Sequence, residues 1–188
     1  MRGGLGRVAI HGMKTLLHLA ELVKRRNALE EEFTAIIGRP AAIGHIGEYI
    51  ASKIFSIALV ESASQKNIDG YFQEGPLAKR SVNIKWYAKL EWLLDITADA
   101  LPDFYLVMAG PKSAALTSRG KVRPWLIDSV YCFNASALVT ALQPSRVKIG
   151  IATSVNQSLW KSAEIYPKPT NSDLMLSDMQ REMLGLFK

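Results

Sequence analysis

Phe104-Tyr105-Leu106-Val107-Met108-Ala109 is an unbroken apolar run with no charged residue in it. Six residues suit a β-strand, and without alternate polar positions such a strand must be covered on both faces. A sheet with a layer on each side, in a chain of 188 residues, predicts a mixed α/β domain with helices flanking a central sheet.

Helical periodicity supplies candidates for those layers. Leu16, Leu19, Leu22 and Val23, then Leu29, Phe33 and Ile36, recur at steps of three and four. This predicts an amphipathic helix or helical hairpin over 11–37, with Lys24-Arg25-Arg26 and Glu30-Glu31-Glu32 on its solvated side. Gly38-Arg39-Pro40 ends it, and the Gly-rich residues 1–10 are expected to be mobile. A second helix is predicted from Gly44 to Ala58, its stripe made by Ile46, Ile50, Ile54 and Ile57, with Glu48 pointing away from that stripe. Residues 1–40 thus read as an N-terminal helical segment packing on a core of residues 41–188.

Strands are predicted at 67–73 and 80–87, joined by the turn Glu74-Gly75-Pro76. Further strands are predicted at Trp125–Phe133 and Val147–Ala152, and helices at Ser136–Leu142 and Met175–Phe187. In the second strand Ser81, Asn83, Lys85 and Tyr87 share one face, and Val82, Ile84 and Trp86 the other.

That alternation bears on chemistry. Asp69 and Lys85 lie on neighbouring strands that can meet at one end, and Asn83 adds a carbonyl oxygen on the face of Lys85. Glu48 can complete the set from the preceding helix. Carboxylates holding Mg²⁺ neutralise a phosphate and make bound water nucleophilic, and an ammonium stabilises developing charge. Taken singly, each residue has a plainer explanation: Asp69-Gly70 as a turn or strand end, Lys85 as a solvated lysine, Glu48 as a helix-start acid. Their order and shared facing point to phosphodiester hydrolysis.

The arrangement resembles the PD-(D/E)XK nuclease superfamily, the restriction-endonuclease-like fold. The likeness rests on Gly47-Glu48 on a helix, Asp69-Gly70 at a strand, and Val82-Asn83-Ile84-Lys85 on the next, and spans residues 44–110 with a compatible pattern to 152. The resemblance implies a core of four or more mixed strands flanked by helices, with Mg²⁺ or Mn²⁺ at Asp69. Two departures stand out. Asn83 occupies a position that is usually Asp or Glu, which removes a negative ligand and should lower metal affinity. Ile68 stands where a proline usually precedes the aspartate; the literal Pro102-Asp103 follows the lysine and reads as the entry to the strand 104–109.

A formal charge of +6, from 23 Lys+Arg against 17 Asp+Glu, favours a polyanionic partner, nucleic acid above all, and with the nuclease resemblance DNA is the expected one. Lys66, Lys79, Arg80 and Lys89 bracket the candidate site and suit phosphate contacts, and equally the solvated charges of an edge strand. His11, His18 and His45 are dispersed and have no Cys partner, which argues against zinc. The single cysteine, Cys132, reads as a buried strand thiol in a reducing compartment, so a cytoplasmic location is expected, with no secretory leader and no membrane partner. Two alternatives stay open: a catalytically decayed nucleic-acid-binding or structural module on the same fold, and an interaction protein that forms a homodimer through 11–37.

Overall fold

The computed structural model describes residues 4–60, 67–112 and 123–188, with side chains from Met13 onward. The chain divides into two compact units, Met1–Ile46 and Gly47–Lys188. The first is built on one uninterrupted helix, α1 (Gly4–Ile37), instead of a hairpin, and it takes in most of the Gly-rich residues expected to be mobile. Gly38 stops it in the left-handed conformation, φ 71°, with its N–H on the Thr34 carbonyl at 2.8 Å.

Helix α2 (Ile43–Ile54) leads into the second unit and is shorter than its isoleucine period predicts. The chain turns at Ser56, φ 51°, and Ile57–Leu59 becomes strand β1. There follow β2 (Gly70–Phe72), a 3₁₀ turn at Gly75–Leu77, β3 (Ser81–Tyr87), the short β4 (Leu93–Leu94) and β5 (Phe104–Ala109). The second half supplies β6 (Ser129–Asn134), α3 (Ala135–Leu142), β7 (Thr153–Ser154), α4 (Gln157–Ala163), β8 (Glu164–Tyr166) and α5 (Asp178–Gly185).

Among the described residues the main sheet has six strands in the order β1-β2-β3-β5-β6-β8, and β4 pairs with β7 apart from it. The sheet is mixed: β3 and β5 run parallel, Val82 opposite Phe104 through Tyr87 opposite Ala109, and the other pairings are antiparallel. Strand β5 is central and buried at every position, as an unbroken apolar run requires.

Helices cover both faces. On one, Gly47 of α2 sits so close to the sheet that an added Cβ would lie 3.0 Å from Trp86 Cβ and 3.3 Å from Met108 Cε. Helix α5 joins this side through Gln180, which donates to the Ile54 carbonyl at 2.8 Å, and its start is closed by a Ser177–Gln180 capping box. On the other face Tyr105, Val107 and Ala109 pack with Tyr131 and Phe133 against Leu138 and Leu142 of α3 and Trp160 of α4. Trp160 meets Tyr131 and Phe133 edge-on at 4.8 and 4.9 Å, so truncating it to alanine should cost about 3–5 kcal/mol.

Two predicted strands are displaced. Residues 147–152 are not extended, because the Thr153 hydroxyl binds both the N–H and the carbonyl of Gly150, at 2.8 Å each, and closes a turn. Trp125 to Asp128 stays outside β6, since Ile127 N–H goes to Phe187 and Asp128 N–H to Ala109. Among the described residues no helix is long and apolar enough to cross a membrane.

Candidate functional site

Asp69 stands just before β2 and is fastened from three sides. Its N–H donates to the Val82 carbonyl at 2.9 Å, and its carbonyl accepts from Val60 N–H at 3.0 Å. Its Oδ2 accepts from the Ile84 N–H at 2.6 Å, a short charge-assisted bond. The acidic group therefore lies against the peptide that joins Asn83 to Ile84, one residue from Lys85. The Asp-Gly pair stands at the start of β2, the strand end that its plainer reading allows, and a Cβ on Gly70 would stand 2.5 Å from the Ala58 carbonyl oxygen and 2.6 Å from Ile57 Cγ2. Glycine is thus what lets β1 approach β2.

Asn83 is buried, 3% exposed, and its Oδ1 has no hydrogen-bond partner among the described residues. An unpaired buried amide oxygen is costly, about 1–3 kcal/mol, and calls for an explanation. Its register partner Tyr105 shares its face. The Tyr105 hydroxyl lies 3.3 Å from Asn67 Nδ2, which also donates to the Ala100 carbonyl at 2.9 Å. Burial pushes the Tyr105 phenol up, against the hydrogen bond from Asn67. Asn67 and Tyr105 were not among the residues expected at the site. The available signals were Asn67 two residues before Asp69 and Tyr105 at the start of the buried run, but only the strand register brings them together.

Lys85 is half-buried on the face of Asn83 and makes no ion pair or hydrogen bond among the described residues. Glu48, also half-buried, rides on α2 beside Gly47, and α2 covers the Trp86 face. Asn83 and Lys85 belong to the opposite face, so helix and strand approach from different sides of the sheet.

The basic residues divide. Lys66 lies outside the described residues. Arg80 pairs with Asp103 at 3.3 Å, and Lys89, its side chain 13% exposed, pairs with Glu91. Lys79 is exposed, with no acidic partner among the described residues, and sits in the left-handed region, φ 68°. His45 turns Nδ1 toward the Pro40 carbonyl at 2.8 Å, which ties the start of α2 to the preceding loop.

Pro102-Asp103 is the entry to β5, as its place after the lysine suggests. Asp103 Oδ2 accepts from the N–H and hydroxyl of Ser81, at 2.8 and 2.7 Å, and binds the first residues of β3 and β5 together. Burial opposes ionisation of this carboxyl, but the Ser81 and Arg80 contacts outweigh it and hold the group below its ordinary range. Cys132 is fully buried and its thiol is pushed far up by that burial, which leaves it inert.

Among the described residues no three His, Cys, Asp or Glu side chains gather as a metal site. Asp69 and Asn83 offer instead a carboxylate and an unpaired amide oxygen. Both are hard oxygen donors, the chemistry that Mg²⁺ takes when it binds one or two carboxylates and completes its shell with water or phosphate. The fold and these side chains define an α/β domain with a mixed six-stranded sheet and a polar segment, Asp69, Asn83 and Lys85, at β2 and β3. No family model matches the chain, and no curated protein matches it in sequence.

Proposed function

We propose that this domain is a divergent PD-(D/E)XK-like nuclease that hydrolyses DNA phosphodiesters with Mg²⁺ or Mn²⁺ in the cytoplasm. The observation that carries the reading is the buried, unpartnered Oδ1 of Asn83 on the strand whose Ile84 N–H holds the Asp69 carboxylate. A buried amide oxygen with no donor among the described residues calls for an explanation, and a ligand role is the one proposed.

Asp69 and Asn83 are the proposed metal ligands; Glu48, on the helix that covers the other face of the sheet, is not counted among them. The bound cation would act as a Lewis acid and lower the pKa of a water. Asp69 is oriented by the Ile84 N–H. Lys85, free of internal partners among the described residues, is available to orient the attacking water or to meet charge on the phosphate. Lys79, and Arg80 once released from Asp103, would hold neighbouring phosphates.

A second reading is a decayed nucleic-acid-binding module on the same fold. It is favoured by the amide at 83 and by the Asp69 carboxylate already serving a backbone N–H. Calorimetric metal binding beside plasmid nicking separates the two, run on the parent, Asn83→Asp, Asp69→Asn and Lys85→Ala. The nuclease reading expects metal binding and nicking in the parent, more of both in Asn83→Asp and neither in Asp69→Asn. It expects Lys85→Ala to bind metal without nicking. A folded parent and a folded Asn83→Asp that are both silent would overturn it in favour of the decayed module.

A further inference from the structure

Helix α1 carries an apolar seam that none of the described residues of its own unit covers. Leu19, Leu22, Leu29, Phe33 and Ile36 are each 39–64% exposed, an extent of apolar surface that a soluble chain seldom leaves to water along one stripe. With Arg26 they alternate steps of three and four, the spacing of a two-helix coiled coil. The seam also reads the same in both directions: reversed about its centre, Leu19 falls on Ile36, Leu22 on Phe33 and Arg26 on Leu29.

We infer that residues 19–36 of α1 pair with the same residues of a second copy of this chain, antiparallel. Charge decides both occupant and direction. The only charged residue of the seam is Arg26. A parallel pair would press the two Arg26 side chains together, an uncompensated repulsion within the contact. The antiparallel pair sets Arg26 against Leu29 and beside the partner's Glu30. It also lays the basic run Lys24-Arg25-Arg26 along the acidic run Glu30-Glu31-Glu32 of the other copy, with Arg25 flanking the partner's Glu32. Within one helix Arg26 already reaches Glu30 at 2.9 Å, so a second acidic run alongside extends a network instead of creating one. A lone charged residue in an otherwise apolar seam also sets the register.

The test uses the full chain, whose own thiol, Cys132, is buried and silent. Sedimentation should give the parent twice the chain mass and Leu22→Glu/Phe33→Glu the single chain mass, with helical circular dichroism retained at the temperature where the parent is dimeric. Variants with one added cysteine fix the direction. Leu22→Cys and Phe33→Cys should each fail to cross-link alone under mild oxidation and should form a disulfide dimer when mixed. A monomeric parent at high micromolar concentration would overturn the inference and leave the face to another kind of partner. Self-cross-linking of Leu22→Cys or Phe33→Cys alone would overturn the antiparallel arrangement.

Discussion

The Asp69 carboxylate takes the Ile84 main-chain N–H at 2.6 Å, so a side chain completes the ladder to β3 just before β2 begins. This one bond links the stability of the sheet to the proposed chemistry, and it allows the two to be separated by substitution.

Asp69→Ala strips the acceptor from a buried N–H and should cost about 1–3 kcal/mol, read as a lower denaturant midpoint. Asp69→Asn keeps an oxygen for Ile84 and should lose less, while losing metal binding as completely. Equal destabilisation of the two variants would show that the bond to Ile84 contributes nothing in solution.

Asn83 should behave in the opposite sense. Asn83→Leu removes an unpartnered oxygen from a buried position and should leave stability equal or higher, with metal binding abolished. Asn83→Asp adds an uncompensated buried charge and should lower the metal-free melting temperature, with recovery on adding Mn²⁺. Thermal melts with and without the cation check both.

Acid should loosen the ends of β3 and β5 through Asp103. Its folded pKa lies below the ordinary 3.8, so its contribution is fully present above that value and is lost as the pH falls through the folded pKa. Asp103→Asn should therefore destabilise at neutral pH and flatten the decline of stability below about pH 4. Urea midpoints across that range give the comparison; an unchanged slope would count against the role assigned to the Ser81 and Arg80 contacts.

DNA affinity should fall steeply with salt through counterion release. Lys79→Ala should weaken binding across sequences and reduce the slope of log affinity against log salt by about one. Arg80→Ala should do the same and also loosen the tie to Asp103. No binding at low salt would remove DNA from the proposal.

Local order carried much of the architecture. The apolar run Phe104–Ala109 is β5 residue for residue, and alternation along 81–87 set Asn83 and Lys85 on one face of β3. Gly38 and the Ser177–Gln180 box act within a turn of their own helices, and the glycine stop was legible for that reason. Strand β1 was hidden because Ile57 continues the isoleucine period of α2, and only pairing of Ile57 with Phe72 and Leu59 with Gly70 chooses extended backbone.

The candidate site divides along the same line. Residue types and their order along the chain proposed Asp69, Asn83, Lys85 and Glu48 from sequence alone. Tertiary structure decided what each one meets: the Ile84 N–H for Asp69, no donor for Asn83 Oδ1, the Trp86 side of the sheet for the helix of Glu48, and Asp103 and Glu91 for two of the four basic residues. The physical reason is range. Periodicity and capping arise from neighbours a few residues away, whereas register, layer and burial arise between segments far apart in the chain, so a pattern can nominate a side chain but only packing assigns its partner.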